Sequence, residues 1–146
     1  MSIREMKKDD LNYVLDIEKC SFLSPWTRRM FEDTMDSSVT TNLVLEINDE
    51  IIGYIMFFSV EDEAHIMNLA VHPDHREKGY GSSLIAHAVL QSNKQKVTEF
   101  FLEVRESNIK ARRLYERFGF KMIGKRKGYY VESNEDALVM HLSTGK

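Results

Sequence analysis

Two glycines separated by one residue, Gly79 and Gly81, stand directly ahead of a segment in which Leu84, Ile85, Ala88 and Val89 recur at helical spacing. Glycine lets the backbone approach a ligand with no side chain between, and the first turn of a helix points unpaired amides at whatever lies ahead of it. Such a geometry holds phosphate. Arg76 and Lys78 add positive charge, and Ser82 can donate a hydroxyl hydrogen bond from the first turn. The segment lacks the Gly-Lys-Ser or Gly-Lys-Thr ending of a nucleoside-triphosphate loop and the third glycine of a dinucleotide fingerprint. Its form is Arg-x-x-Gly-x-Gly. Read alone, it fits either an anion-binding loop or a solvated turn that opens a helix.

Other reactive side chains are fewer. Cys20 is the only cysteine, with no histidine motif beside it; it reads as a small packed residue, and no intrachain disulfide can form. His72 and His75 flank Pro73-Asp74, which is too few ligands for a metal site, and no metal is expected. Glu103 interrupts an apolar strand. Alternation puts Phe101, Glu103 and Arg105 on one face and Phe100, Leu102 and Val104 on the other, without saying which face meets solvent.

The elements that must position these groups follow from periodicity. Ile3 and Met6 suggest a short first strand, and Asp9 and Asp10 offer a cap for a helix carrying Leu11, Val14, Leu15 and Ile17. Pro25 stops that region. A second helix starts at Thr27 with Met30, Phe31 and Met35 inward, followed by a hairpin of residues 42–47 and 51–60 about Asn48-Asp49-Glu50. Residues 65–71 form a further strand ahead of the glycine segment and its helix. Residues 100–104 form the next, and Ser107 caps a helix with Ala111, Leu114, Tyr115 and Phe118 inward that ends at Gly119. Strands at 121–130 and 137–142 close the chain. The expected fold is α/β (α+β), a mixed, mostly antiparallel sheet with helices on both faces, in one domain spanning residues 1–146.

Length and composition agree with one soluble domain: 146 residues, 42% hydrophobic, formal net charge -3. The charge is unevenly placed. From Arg105 to Lys127 there are nine basic residues against Glu106 and Glu116, an end that should attract anions. The simpler reading of that end is a solvated face plus attraction for phosphates, and direct nucleic-acid binding is not expected. The N-terminus lacks a secretory apolar stretch and residues 51–60 are too short to cross a bilayer as a helix, so the expectation is a cytoplasmic protein without membrane association.

Three blocks together carry a family resemblance. Asn68-Leu69-Ala70-Val71-His72-Pro73, then Arg76-x-x-Gly79-x-Gly81, then Ser107-Asn108-x-x-Ala111-x-x-Leu114-Tyr115-x-x-x-Gly119-Phe120 resemble, in order and spacing, the GNAT superfamily of N-acetyltransferases. Pro25-Trp26, Leu102-Glu103-Val104-Arg105, Tyr115, and Tyr129-Tyr130 ahead of Glu135-Asp136-Ala137 are similar to its RimI group, which acetylates the N-terminal alanine of a small-subunit ribosomal protein. The resemblance implies that acetyl-CoA is the co-substrate. It implies that Leu69, Ala70 and Val71 bind the acetyl and pantetheine arm through their backbone. Arg76, Lys78, Gly79, Tyr80, Gly81 and Ser82 would bind the pyrophosphate, with Asn108 also on the cofactor. Glu103 would be the general base and Tyr115 the general acid. Glu77 departs from the family, which often has Gln or Arg there.

The acceptor is less marked. Glu61, Asp62 and Glu63 could attract a positively charged N-terminus or be a solvated turn, and Tyr129 and Tyr130 would wall the peptide's first residues if the resemblance holds. The expected partner is a protein N-terminus, that of a ribosomal protein, met by a monomer or weak dimer. Small-molecule amines, polyamines or aminoglycosides, are the alternative acceptors. A non-catalytic acyl-CoA sensor is the alternative of a different class, and it would need neither Glu103 nor Tyr115.

Overall fold

A computed structural model describes residues 1–145. Seven strands form one sheet: β1 (Ser2–Glu5), β2 (Thr40–Ile47), β3 (Glu50–Val60), β4 (Glu63–Val71), β5 (Glu99–Arg105), β6 (Lys121–Tyr130) and β7 (Glu135–Ser143). Their order across the sheet is β1-β2-β3-β4-β5-β7-β6, antiparallel throughout except where β4 meets β5. Helices α1 (Leu11–Ser21) and α2 (Arg28–Met35) cover one face, and α3 (Tyr80–Lys94) and α4 (Ile109–Phe118) the other. The sequence-derived architecture is the observed one. None of the helices is long and apolar enough to cross a membrane among the described residues.

Local chemistry explains the boundaries. Asn48 and Asp49 both have positive φ, the two-residue turn whose twist suits a β2–β3 hairpin. The Thr27 hydroxyl accepts the amide of Met30 at 3.3 Å and starts α2. At α4 the cap is Asn108, whose Oδ1 accepts the Ala111 amide at 3.2 Å, and not Ser107 as expected from sequence. Ser107 instead gives its own amide to Glu135 at 2.9 Å. Either residue type suits a cap, and the β7 carboxylate decides between them.

Two apolar clusters hold the layers together. Leu11, Val14, Ile17 and Phe31 pack on Val44, Tyr54 and Met56 beneath α1 and α2. On the other side Leu84, Ile85, Ala88 and Tyr115 pack on Leu45, Ile55, Phe100, Leu102 and Leu138. Two expected inward or packed residues lie outside: Met30 is 46% exposed on α2, and Cys20 is exposed on α1. Helix α2 has only two turns against β2, so its buried stripe narrows to Phe31.

Two irregularities in β4 matter for the site. The β3–β4 register slips between Met56 and Phe57, so Ile66 and Leu69 both face the α3 side while Asn68 and Ala70 face α1. The parallel ladder with β5 lasts only three pairs, Glu63–Glu99, Ala64–Phe100 and His65–Phe101. Beyond it β4 runs on to Val71 and β5 to Arg105 without pairing to each other. The sheet therefore opens into a cleft in its middle.

Candidate active site

The glycine segment sits at the wide end of that opening. Gly79 precedes α3 in the left-handed conformation, φ +86°, and a Cβ built on it would meet nothing within 4 Å. The Gly79 carbonyl accepts the Ser83 amide at 3.0 Å, and none of the amides of Gly79, Tyr80, Gly81 and Ser82 has a protein partner among the described residues. Unpaired amides at a helix start behind a left-handed glycine are the backbone arrangement expected from the sequence. The two glycines do different things, however. A Cβ on Gly81 would lie 3.0 Å from Leu114 Cδ2, so Gly81 lets α3 approach α4, while Gly79 leaves the loop open to a ligand.

The charges of the loop are also redistributed. Arg76 turns away from the helix terminus: its Nε donates to the Val71 carbonyl at 2.8 Å and its Nη2 to Ser21 Oγ at 2.9 Å, strapping the loop to β4 and α1. Lys78 is exposed. Tyr80 packs against the core with its ring near His75. Asn108 has its carboxamide oxygen committed to the α4 cap, which leaves its amide nitrogen for a ligand.

At the narrow end, Glu103 projects from β5 on the sheet face that α1 and α2 leave uncovered. Its Oε1 lies 3.0 Å from His65 Nε2, and its side chain is 13% exposed. Strand alternation left the face of Glu103 open; the packing of Phe100, Leu102 and Val104 against α3 and α4 settles it. A cleft of about 360 Å³ runs over this face, with Glu61 and Glu63 along one side, His65, Phe101 and Glu103 on its floor, and Phe58 at the edge. The acidic β3–β4 turn and the β5 carboxylate thus share one cavity.

Tyr115 comes from the opposite face. Its ring is buried on α4 edge-on to Phe120, centroids 5.8 Å apart, and its hydroxyl has no protein partner among the described residues. Burial pushes its phenol above the ordinary value, so it stays protonated as a donor. Tyr130 at the end of β6 is half-buried, and its phenol is pushed up to about 12, mainly by burial and with Glu103 among the neighbouring carboxylates that add to the rise. Its ring carries the Arg105 guanidinium at 4.0 Å. Tyr129 lies edge-on to Tyr130 and more exposed, beneath the Arg126 guanidinium at 4.4 Å.

The basic stretch is less free than its composition suggests. Arg105 is bonded to Glu132 and to Ser133, Arg112 donates to the Glu106 carbonyl at 2.8 Å, and Lys125 lies 3.4 Å from Glu106. Arg105 thereby fixes the loop after Tyr130 as one wall of the opening.

A buried carboxylate went unnoticed in the sequence. Glu18 on α1 is 1% exposed and accepts hydrogen bonds from the Tyr54 hydroxyl, from Asn68 Nδ2 at 2.8 Å and from the Trp26 amide at 2.9 Å. Burial and the adjacent carboxylate hold the Tyr54 phenol protonated, far above its usual range. These bonds join α1, β3, β4 and the α1–α2 loop under the strand that borders the opening.

A helix start with unpaired amides, a split between two parallel strands and a carboxylate beyond it lie together on this one fold. Residues 11–120 match the acetyltransferase (GNAT) family, and the chain belongs to it. It is an N-acetyltransferase. A Bacillus subtilis (strain 168) relative, provisionally named a ribosomal protein bS18-alanine N-acetyltransferase, is 36% identical over 140 residues, covering 95% of this chain and 93% of its own. The Escherichia coli (strain K12) protein of that name is 32% identical over 143 residues, covering 97% and 96%. A crystal structure of the Escherichia coli ribosomal-protein-S18-alanine N-acetyltransferase superposes with a TM-score of 0.91 at 31% identity, over 99% of this chain and 94% of that one. Ard1 from Thermoplasma volcanium gives the same TM-score at 26% identity, over 99% and 98%.

Proposed function

We propose that this enzyme transfers the acetyl group of acetyl-CoA to the α-amino group of a protein N-terminus in the cytoplasm, the N-terminal alanine of a small-subunit ribosomal protein. The observation that carries the reading is the opening between β4 and β5, with unpaired amides at one end and the Glu61, Glu63 and Glu103 cleft at the other. The names of the relatives at 32% to 36% identity support the acceptor.

The residues present suit acetyl-CoA. The free amides of Gly79, Tyr80, Gly81 and Ser82, with Lys78 beside them, would take the pyrophosphate, and Asn108 would add a donor. Leu69, Ala70 and Val71 lie on the stretch of β4 that pairs with β3 and no longer with β5, where their free backbone edge would receive the acyl arm. Acetyl-CoA supplies an acetyl group activated as a thioester. The chain supplies the rest. An α-amino group is mostly protonated at neutral pH, its ordinary pKa being about 7.7 to 8.0, and Glu103 accepts that proton directly or through one water. A β4 amide donates to the carbonyl oxygen as negative charge grows there. Tyr115 gives its hydroxyl proton to the departing sulfur, a role its buried, protonated state suits, and regains one as the acetylated nitrogen loses its second proton.

Glu61 and Glu63 would draw the cationic acceptor into the cleft, and Tyr129 and Tyr130 would wall its first residues. Replacing both glutamates, Glu61→Gln with Glu63→Gln, is expected to raise the KM for an Ala-Arg peptide about fivefold to tenfold with kcat held within twofold; a KM that stays put rejects this role. Gly79→Val forces a β-branched residue to positive φ, at a cost of about 1–2 kcal/mol. It is expected to raise the KM for acetyl-CoA by roughly tenfold while the peptide KM holds.

The acceptor is tested with peptides and in cells. A peptide beginning Ala-Arg should be acetylated far faster than its N-terminally blocked counterpart with a free lysine, and mass spectrometry should find one ribosomal N-terminus unmodified when the protein is absent. Equal rates on polyamines or aminoglycosides, or ribosomal N-termini that do not change, would overturn the assignment.

A further inference from the structure

We propose that His65 is a positioning residue for Glu103: its Nε2–H holds Oε1 of the carboxylate and leaves Oε2 turned to the acceptor amine. This rests on the reading of Glu103 as the base. Three observations support it.

His65 stands on the last rung of the parallel β4–β5 ladder, opposite Phe101, and its imidazole reaches Glu103, two residues further along β5, at 3.0 Å where the two strands begin to part. Position alone does not bring them together, since they are 38 residues apart. Both line the acidic cleft, and the carboxylate has no other protein partner among the described residues. Without His65, the Glu103 side chain would be free to sample rotamers at a point where the strands no longer brace it.

The imidazole is itself held. Its ring lies 5.3 Å from the Phe58 ring, tilted 36°, which limits its rotation and leaves it 31% exposed at the cleft edge. The charged and titratable groups facing this pair are Glu61 and Glu63 from the β3–β4 turn side and Tyr130 from β6, which senses Glu103. Beyond Phe101 lies a second pair, His141 with Glu99 at 2.9 Å, whose imidazole stacks on the Phe101 ring. That pair is occupied with itself and with Ser143, so His65 alone serves Glu103.

A neutral imidazole donating Nε2–H orients a carboxylate and leaves its other oxygen able to take a proton.

The experiment compares wild type, Glu103→Gln, His65→Leu, His65→Gln and the His65→Leu/Glu103→Gln double variant on an Ala-Arg peptide, with thermal unfolding as the folding control. His65→Leu is expected to lower kcat by tenfold to fiftyfold with both KM values within twofold. His65→Gln, whose amide donates from nearly the same place as Nε2, is expected to recover kcat to within threefold. The double variant should be no slower than Glu103→Gln alone, because a positioning residue has nothing left to position. Wild-type kcat in His65→Leu, or a His65→Gln variant as slow as His65→Leu, overturns the inference. Wild-type turnover in Glu103→Gln would instead remove the base assignment, a failure read from a different variant.

Discussion

Glu103→Gln is expected to lower kcat by about 100-fold to 1,000-fold at pH 7, the range in which a positioned general base operates. The substitution keeps the size of the side chain, and Gln Oε1 can still accept from His65, so the unfolding midpoint should move little. Acetyl-CoA affinity should stay within twofold, because the amides at the start of α3 are far along the opening from β5. The deficit has a pH signature. With an ordinary α-amino pKa near 8, the free-amine fraction rises about tenfold between pH 7 and pH 9, so the variant should gain on wild type by about that factor as pH rises. A deficit that is flat from pH 7 to 9, or turnover equal to wild type at pH 7, would remove Glu103 as the base.

Glu18→Ala is expected to destabilise the protein by about 3–5 kcal/mol, a large part of the roughly 5–15 kcal/mol that holds a domain of this size folded. The loss comes from what remains behind. The Tyr54 hydroxyl, Asn68 Nδ2 and the Trp26 amide all donate to this carboxylate, and alanine would strand three donors in the core. A fall in melting temperature on the order of 10 °C should accompany it. Glu18→Gln, which keeps one acceptor oxygen, should lose less than half as much. A denaturation midpoint within 1 kcal/mol of wild type for Glu18→Ala would mean that water replaces the carboxylate. If acetyl-CoA binding weakens along with stability, the network also holds β4 in place beside Leu69, Ala70 and Val71.

The sequence was informative where signals are local. The glycine segment, its helix, the Asn48-Asp49 turn and the strands are each set by residues within a few positions of one another, and all stand where periodicity and turn chemistry put them. The different duties of Gly79 and Gly81 were not legible, since Leu114, which needs the second glycine to be small, is 33 positions away on another helix. Glu18 follows Ile17 on a helix whose polar residues read as solvated; only Tyr54 and Asn68, arriving from β3 and β4, make it interior. The pairing of Glu103 with His65 depends on a three-rung parallel ladder, and ladder length leaves no mark in either strand's sequence. From its place in the loop Arg76 reads as a phosphate ligand. Its bonds to the Val71 carbonyl and Ser21 Oγ bridge three elements that no motif connects. Strand alternation gave Glu103 two faces to choose from, and the helices that cover one of them decided.

The rim of the sheet has a consequence of its own. Its two outermost strands carry unpaired backbone groups that invite another chain to add a strand. At one end β1 is only four residues long, which offers little to match. At the other, β6 is ten residues long and almost wholly exposed, a length that would otherwise template polymerisation. Lys121, Lys125, Arg126 and Lys127 lie along it, and a second copy docking edge to edge would bring the same charges into register. The basic run first noted as an anion-attracting end thus also lies where it would oppose strand addition by a like chain. The sheet that parts in its middle, between β4 and β5, carries lysine and arginine along its long outer strand.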